Sequence, residues 1–341
     1  MKKNHHRQQL NEKEIIRILS RAQDISDLED VAEIAVADNR HRRNDLVVFK
    51  ADMLVASTDV PPQMSPRQVA KKSIVACASD LAAKGARPLA AMIALGLPAE
   101  LASKAYVKEL ARGFQAASRE FGVKIVGGDT NAAKELVIDC SMVGTIKKNG
   151  YSRIPKRSGA KPGDAVIASG RFGYSASGLA VLLKGAKAQG AFGKKAVASV
   201  LEPKPRQAFG LALARYFSSS IDSSDGLAAS LYEIAIQSGV DIVIDYDAAK
   251  AEGVQEFAGL NGLDAHELVF HGGEEYEIVA TVPKSLLQKA RATARRRKIG
   301  CGLHVIGSVK DKKVAGRRVT VTTAEDKRLI ENRGYLHFKN S

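Results

Sequence analysis

The sequence predicts an α/β (α+β) protein of two domains. The chain has 341 residues, which is more than one hydrophobic core usually organises. Strand-like and helix-like apolar segments alternate along most of this length, a pattern typical of helices packed on a sheet. A stretch rich in Arg, Lys, Pro and Gly at residues 152–163 separates two such runs. We therefore expect an N-terminal domain at residues 1–150 and a C-terminal α/β domain at 151–341.

The first domain is expected to contain an amphipathic helix, a β-hairpin and a strand–helix–strand passage. Its clearest helix begins at Ser65, a capping residue that Pro66 follows at the first helical position, and it ends at Gly85. Residues 123–126 are predicted to form a strand that ends in a turn at 127–130. The other predicted elements are a helix near residues 11–19, strands over 31–36, 46–55, 89–97 and 136–146, and a helix over 99–121.

The second domain continues the alternation of strands and helices. A glycine-rich turn contains Gly170, Gly173 and Gly178. The spacing of these glycines matches neither a Walker loop nor the G-x-G-x-x-G fingerprint. Pro203 and Pro205 interrupt an otherwise helical segment over residues 197–217. The remaining predicted elements are strands over 164–169, 240–246, 278–282, 303–309 and 319–322, helices over 179–184 and 284–298, and a mixture of helix and loop over 248–267.

Charge and composition narrow the class of protein. The formal net charge is +15, but the basic residues are scattered in short runs, as on a solvated surface. Aromatic residues make up 5% of the chain and Trp is absent, which argues against a module that stacks on bases. We therefore do not expect a nucleic-acid partner.

Cysteine usage and hydropathy indicate a reducing, aqueous compartment. Cys77, Cys140 and Cys301 lie far apart in sequence and form no C-x-x-C pair. The sequence contains neither a continuous apolar run of about 18 residues nor a hydrophobic signal core. We expect a soluble, cytoplasmic protein without a membrane partner.

Residues 220–227 are the most informative stretch. Asp222 and Asp225 stand three residues apart, Ser223 and Ser224 lie between them, and an apolar helical pattern follows. One interpretation is a helix cap, for which serine and aspartate are ordinary residues. The other is a site where two carboxylates and free backbone N–H groups hold a hard cation and a phosphate. Taken alone, the stretch favours neither.

A second carboxylate in an unusual setting is Asp80, which stands among alanines in the predicted helix that begins at Ser65. A buried carboxylate raises the free energy of the fold unless a cation or hydrogen-bond donor pairs with it. Either a metal ion or Lys84, one turn further on, would serve. Taken alone, this segment favours Lys84.

Acidic residues recur at the ends of predicted elements, several beside Gly, Ser or Thr. Ligand sets made only of oxygen suit Mg²⁺, which usually shares phosphate oxygens, whereas zinc sites need His or Cys. A nucleoside triphosphate held through several Mg²⁺ ions is the simplest explanation, and it implies phosphoryl transfer. The recurring residues are Asp30, Asp52, Asp80, Asp129, Asp222 and Asp225.

Seven short segments follow one another along the chain, at residues 29–32, 52–55, 79–88, 127–130, 157–164, 221–227 and 273–277. In this order they resemble thiamine-monophosphate kinases, a family of the superfamily that also contains aminoimidazole ribonucleotide synthetase and selenophosphate synthetase. The resemblance runs from about residue 29 to 338, and the segment 58–64 is similar to the archaeal branch.

The resemblance implies that ATP, as co-substrate, phosphorylates thiamine monophosphate to thiamine diphosphate by direct in-line transfer with several Mg²⁺ ions. It further implies a homodimer in which the sheets of the two N-terminal domains pair. Catalysis would rest on positioning and metal ions rather than on one catalytic side chain. The implied metal ligands are Asp30, Asp52, Asp80, Asp129, Asp222 and Asp225. The implied ATP contacts are Tyr106, Gly128, Asp129, Arg157 and Ser224, and the implied substrate contacts are Asp59, Glu274 and Tyr335.

Three positions depart from the family pattern. Glu29 replaces the first acid of the usual Gly-Asp-Asp, Ala51 replaces a threonine, and Asp59 stands where bacterial relatives have a substrate-contacting histidine. Lys50 precedes Ala51 and could replace the charge of one metal ion, or the metal cluster could be reduced. Two alternatives therefore stay open, namely a related ATP-dependent kinase or synthetase for another small substrate, and a nucleotide-binding protein with reduced catalysis.

Overall fold

The computed structural model describes residues 30–34, 45–147, 154–311, 319–323 and 327–335. Their strands form two separate sheets, of five and seven strands. The predicted helix near residues 11–19 lies outside the described residues, as does Glu29. None of the helices in the described part of the chain combines the length and apolar character needed to cross a bilayer.

The first sheet is mixed, with strand order β1-β2-β5-β3-β4. β2 pairs with β5 in an antiparallel ladder from Asp45 opposite Lys147 to Val55 opposite Val137, and β3 pairs with β4 in parallel. The strands are β1 (Ala32–Ile34), β2 (Asp45–Val55), β3 (Arg87–Leu97), β4 (Lys124–Ala132) and β5 (Val137–Lys147). β4 therefore corrects the prediction of a turn at 127–130, because pairing with β3 keeps these residues extended.

Two long helices cover one face of this sheet, α2 (Pro66–Ala83) and α3 (Lys104–Phe121), and the short α1 (Ala56–Asp59) precedes them. α2 begins as the sequence predicts, because Ser65 and Gln68 form a reciprocal capping box and proline occupies the first turn. α3 begins five residues later than predicted, because a 3₁₀ turn at Ala99–Leu101 comes first and Ser103 supplies the cap.

The second sheet has strand order β12-β11-β8-β10-β6-β9-β7 and is antiparallel except for the pair of β11 and β8. The strands are β6 (Ala165–Ala168), β7 (Ser219–Ser223), β8 (Asp241–Asp245), β9 (Glu277–Val282), β10 (His304–Lys310), β11 (Val319–Thr322) and β12 (Lys327–Leu329). β7, one of the two edge strands, carries Asp222 of the stretch 220–227 and lies beside α2.

Helices pack on both faces of the second sheet and form two cores, one of which includes the last residues of α2. The helical segment predicted at 197–217 is broken after Leu201, as the two prolines require. The helix predicted at 179–184 starts earlier, at Tyr174. The helices are α4 (Tyr174–Lys184), α5 (Gly190–Leu201), α6 (Gln207–Leu213), α7 (Leu227–Ser238), α8 (Tyr246–Ala249), α9 (Val254–Asn261), α10 (Ala265–Phe270) and α11 (Lys284–Arg297).

Helix α2 is the element that joins the two sheets. Its middle packs on the first sheet, whereas Ala82 and Ala83 belong to a core built from α6, β9 and α11. The hydroxyl of Ser220 on β7 donates to the carbonyl of Ala83 over 2.7 Å. Carboxylates on β2, α2 and β7 are thereby brought to one place.

Candidate active site

Three buried carboxylates from distant parts of the chain converge where the two sheets meet. Asp30 precedes β1, Asp80 lies on α2 and Asp222 lies on β7. One oxygen from each lies within 4.8 Å of the others, and all three side chains are buried. Three oxygen donors at this spacing fit a hard divalent cation, so the residues present suit Mg²⁺.

Cationic side chains surround these carboxylates. The Lys50 Nζ atom lies 2.6 Å from Asp80 Oδ2 and 3.4 Å from Asp52 Oδ2. Lys84 Nζ lies 3.0 Å from Asp30 Oδ2, and Arg157 Nε donates to Asp30 Oδ1 over 2.6 Å. The predicted pairing of Asp80 with Lys84 is therefore wrong. Lys84 follows the last residue of α2 and turns toward Asp30 and the carbonyl of Ser220.

The carboxylates respond differently to this environment. Burial, together with the charges of Asp80 and Asp30, raises the pKa of Asp222 well above its usual range. Burial also raises the pKa of Asp52 to about 7, although Lys50 opposes the shift. For Asp30 the effect of burial is outweighed by Lys84 and Arg157, which lower its pKa. Negative charge is thus concentrated at the carboxylates of Asp52, Asp80 and Asp222, and a further cation would stabilise it.

The loop after β7 does not use its side chains as a helix cap. Gly226 is the N-cap of α7, at φ 108°, and no side chain among the described residues caps the helix there. Ser224 and Asp225 are exposed, and their carbonyls accept hydrogen bonds from the N–H groups of Glu274 and Tyr335, over 2.6 and 3.1 Å. The cap interpretation is therefore wrong. The structure instead brings Ser224, Asp225, Glu274 and Tyr335 to one rim beside Asp222.

Two predicted substrate residues, Asp59 and Glu274, are linked by a lysine that the sequence analysis did not identify. Lys72, on α2 and almost fully buried, places its Nζ atom 2.5 Å from both Glu274 Oε1 and the carbonyl oxygen of Asp59. The Asp59 carboxylate accepts a hydrogen bond from the Val55 N–H group over 2.7 Å. Glu274 has a φ of 61°, an uncommon backbone conformation that the surrounding contacts hold.

Asp129 is not brought to the cluster within one chain. Opposed residues of a sheet share a face, and Asp52 shares its face with Cys140, Ile93 and Gly128. Asp129, the next residue on β4, is exposed and points to the other face of the sheet. Its role as a metal ligand stays a prediction for this reason.

Tyr106 lies in the first turn of α3 and is a partly buried member of the first core. Packing accounts for this position, and a nucleotide contact by Tyr106 stays a prediction. Arg157, in contrast, lies at the cluster with a quarter of its side chain exposed.

The other glutamates of the segment 273–277 serve the second sheet. Glu275 Oε1 accepts from the N–H groups of Gly173 and Ser175 at the start of α4, over 2.7 and 3.2 Å. Burial raises the pKa of Glu275 to about 8. Glu277 pairs with Arg206 and accepts from Ser169 Oγ. Of the three glutamates, Glu274 alone is directed toward the candidate site.

Comparisons with known proteins agree with this architecture. Residues 28–146 match the family model of the AIR synthase related protein, N-terminal domain, and residues 161–319 match that of the C-terminal domain. A thiamine-monophosphate kinase of Nitrosopumilus maritimus is 42% identical over 83% of this chain and 87% of its own. That of Pyrococcus horikoshii is 38% identical, over 82% and 84%.

A solved structure of AaThiL in complex with AMPPCP and TMP superimposes with a TM-score of 0.79 at 25% identity, covering 96% of this chain and 97% of that one. The likeness confirms the two-part α/β fold class that the sequence predicts. Together with the extent of the sequence matches, it leads to one conclusion: the chain belongs to the thiamine-monophosphate kinase family of AIR synthase related proteins.

Proposed function

We propose that this protein transfers the γ-phosphoryl group of ATP to thiamine monophosphate and so forms thiamine diphosphate and ADP, with Mg²⁺ in the site. The observation that carries the proposal is the buried cluster of Asp30, Asp80 and Asp222, a set of oxygen donors at the junction of the two sheets. Its rim holds Glu274 and Tyr335, the residues that the resemblance assigns to the thiamine end of the substrate.

The proposed reaction needs positioning and charge neutralisation. A terminal phosphate oxygen of thiamine monophosphate forms a bond to the γ-phosphorus of ATP, and the bond from that phosphorus to the β,γ-bridging oxygen breaks. Asp30, Asp52, Asp80, Asp222 and Asp225 would hold Mg²⁺. The metal would neutralise phosphate charge and so lower the barrier to transfer.

Several side chains of the chain itself would orient the two substrates. Arg157, fixed by Asp30, would present its guanidinium plane to the nucleotide phosphates, with Ser224 beside it. Glu274, held by Lys72, and Asp59 would face the cationic thiamine rings, and Tyr335 would stack on one of them.

The proposed assembly is a homodimer in which Gly128, Asp129 and Tyr106 contribute to a nucleotide site shared between subunits. The outward direction of Asp129 supports this arrangement, because within one chain its carboxylate is on the face opposite Asp52. We also propose that the chain divides into domains near residue 150.

The test is a direct assay of the purified protein with Mg²⁺, ATP and thiamine monophosphate, in which chromatography measures thiamine diphosphate. Asp80→Asn and Asp222→Asn should each abolish turnover without changing the far-UV circular dichroism spectrum. Asp247→Asn, the same change at an exposed ion pair with Lys250, should leave turnover intact. ATP binding without thiamine diphosphate formation in the wild-type protein would contradict the proposal, and it would favour the nucleotide-binding alternative or another substrate.

A further inference from the structure

Lys50 is a cation built into the carboxylate cluster from the first sheet. It lies two residues before Asp52 on β2, so the two side chains point to the same face. Lys50 is opposed by the buried Met142 of β5, and this register directs it toward α2 rather than toward solvent. About a fifth of its side chain is exposed.

The position of the Lys50 ammonium group coincides with the space between two carboxylates. Its Nζ atom is 2.6 Å from Asp80 Oδ2 and 3.4 Å from Asp52 Oδ2. Mg²⁺ takes carboxylate oxygens at about 2.1 Å, closer than either of these two distances. It would therefore compete with the ammonium group for the same space and be repelled by its charge.

The negative charge of Asp30 is compensated by cations other than Lys50. Lys84 and Arg157 both pair with it, whereas the ion pairs of Asp52 and Asp80 within the described residues are formed with Lys50. The cluster is thus divided, with Lys50 between Asp52 and Asp80 on one side and Asp222 facing Asp80 and Asp30 on the other.

We propose that Lys50 permanently occupies the place of one divalent cation between Asp52 and Asp80, so that the loaded site takes one metal ion fewer than the carboxylates alone would bind. The inference rests on the proposed function in assuming that this cluster holds divalent metal. It assigns to Lys50 the role of a fixed counter-ion in the metal centre.

The experiment counts bound Mn²⁺ in the full-length protein with AMPPCP, by electron paramagnetic resonance of the free ion across a titration. Lys50→Ser should bind one more Mn²⁺ per chain than the wild type, and Lys50→Arg should keep the wild-type number. The extra ion should be lost again in Lys50→Ser combined with Asp52→Asn. Lys71→Ser, at a partly buried lysine of α2 that pairs with Glu120 and Glu202, should keep the wild-type number and serves as the matched control.

An equal Mn²⁺ count in the wild type and Lys50→Ser would overturn the proposal, because Lys50 would then make way for the metal. Thermal unfolding followed by circular dichroism verifies that each variant is folded, and if Lys50→Ser does not fold, the same comparison is made with Lys50→Met. The count needs no thiamine monophosphate and no turnover. Failure of the kinase assay and failure of this inference are therefore distinguishable.

Discussion

At the scale of single residues, the three glutamates at 274, 275 and 277 show how neighbours in sequence take separate roles. Glu274 pairs with Lys72 at the rim of the site, and Glu277 pairs with Arg206 inside the second sheet. Glu275 lies between them in sequence, and its carboxyl group accepts hydrogen bonds from backbone N–H groups at the start of α4. Burial raises the free energy of the charged form of Glu275, so the free energy of unfolding should depend on pH through this side chain.

We expect Glu275→Gln to flatten the dependence of stability on pH. The pKa of Glu275 is raised from an ordinary 4.5 to about 8, so the folded protein binds a proton that the unfolded chain releases in this window. The free energy of unfolding should therefore fall as pH rises from about 5 to about 8. Glutamine keeps the acceptor for the N–H groups of Gly173 and Ser175 but cannot ionise.

Urea denaturation at several pH values measures this effect. Glu256→Gln, on the exposed side of α9, should keep the wild-type pH dependence and is the control. The charged groups near Glu275 are Glu277 and Arg206, and neither is changed by the substitution. A Glu275→Gln protein whose stability varies with pH as steeply as the wild type would refute the assignment.

At the scale of elements, α2 and α6 cross with their backbones in close contact. Gly210 of α6 makes this possible, because a Cβ atom there would lie 1.8 Å from the carbonyl oxygen of Ala82. The neighbouring atom belongs to the backbone of α2, which is anchored on both sheets. A side chain at position 210 would therefore have to displace one helix from the other.

We expect Gly210→Ala to lower the free energy of unfolding by about 1–3 kcal/mol, as overpacked cores do. Gly259→Ala in α9 is the matched control, because no other part of the chain that the structure describes lies within 4 Å of the Cβ position there. That variant should be neutral or more stable by up to about 1 kcal/mol, since alanine favours helix. Urea denaturation compares the two variants, and equal stabilities would show that α2 and α6 do not meet closely.

The sequence predicts elements well where the signal is local. Ser65, Pro66 and Gly85 mark both ends of α2, and the apolar pattern of β2 predicts its last residue, Val55. Asp80 and Asp222 are predicted to share a site, and the structure brings them together. Each of these predictions depends on residues within about one turn or one strand, or on motifs that recur in a known family.

What could not be predicted depends on contacts between distant segments. Lys84 lies one turn after Asp80 in sequence, but it comes after the last residue of the helix. Its side chain therefore pairs with Asp30 and donates to the carbonyl of Ser220. Nothing in the sequence indicates that Lys72 pairs with Glu274, which is about two hundred residues away. Likewise, the direction of Asp129 follows from the pairing of β4 with β3, which a turn prediction misses.

At the scale of the whole molecule, the residues that the structure describes leave one face of the first sheet uncovered. Large apolar side chains stand on it, with Met53 63% and Met92 54% exposed. An exposed apolar face of this kind marks an interaction surface, and the proposed homodimer would bury it. Asp129 lies on the same face as these methionines.

We expect light scattering to find a dimer at micromolar concentration, and we expect Met92→Glu to shift it to a monomer, because burying a carboxylate at the interface is costly. Leu260→Glu, at an equally exposed leucine on α9, should remain dimeric. A wild-type monomer, or a Met92→Glu dimer, would show that this face is not where two copies pair. The Met92→Glu monomer should also lose activity if Asp129 serves the partner subunit's site.

The position of helix α2 early in the chain affects folding during synthesis on the ribosome. The ribosome completes α2 long before it synthesises Phe209 and Leu213 of α6 and Ser220 of β7, which cover its last turn. During that interval Ala82, Ala83 and the Lys84 ammonium group have no native cover from the second half of the chain. Nascent chains released early should therefore expose an apolar helix end, a surface that chaperones bind and proteases attack.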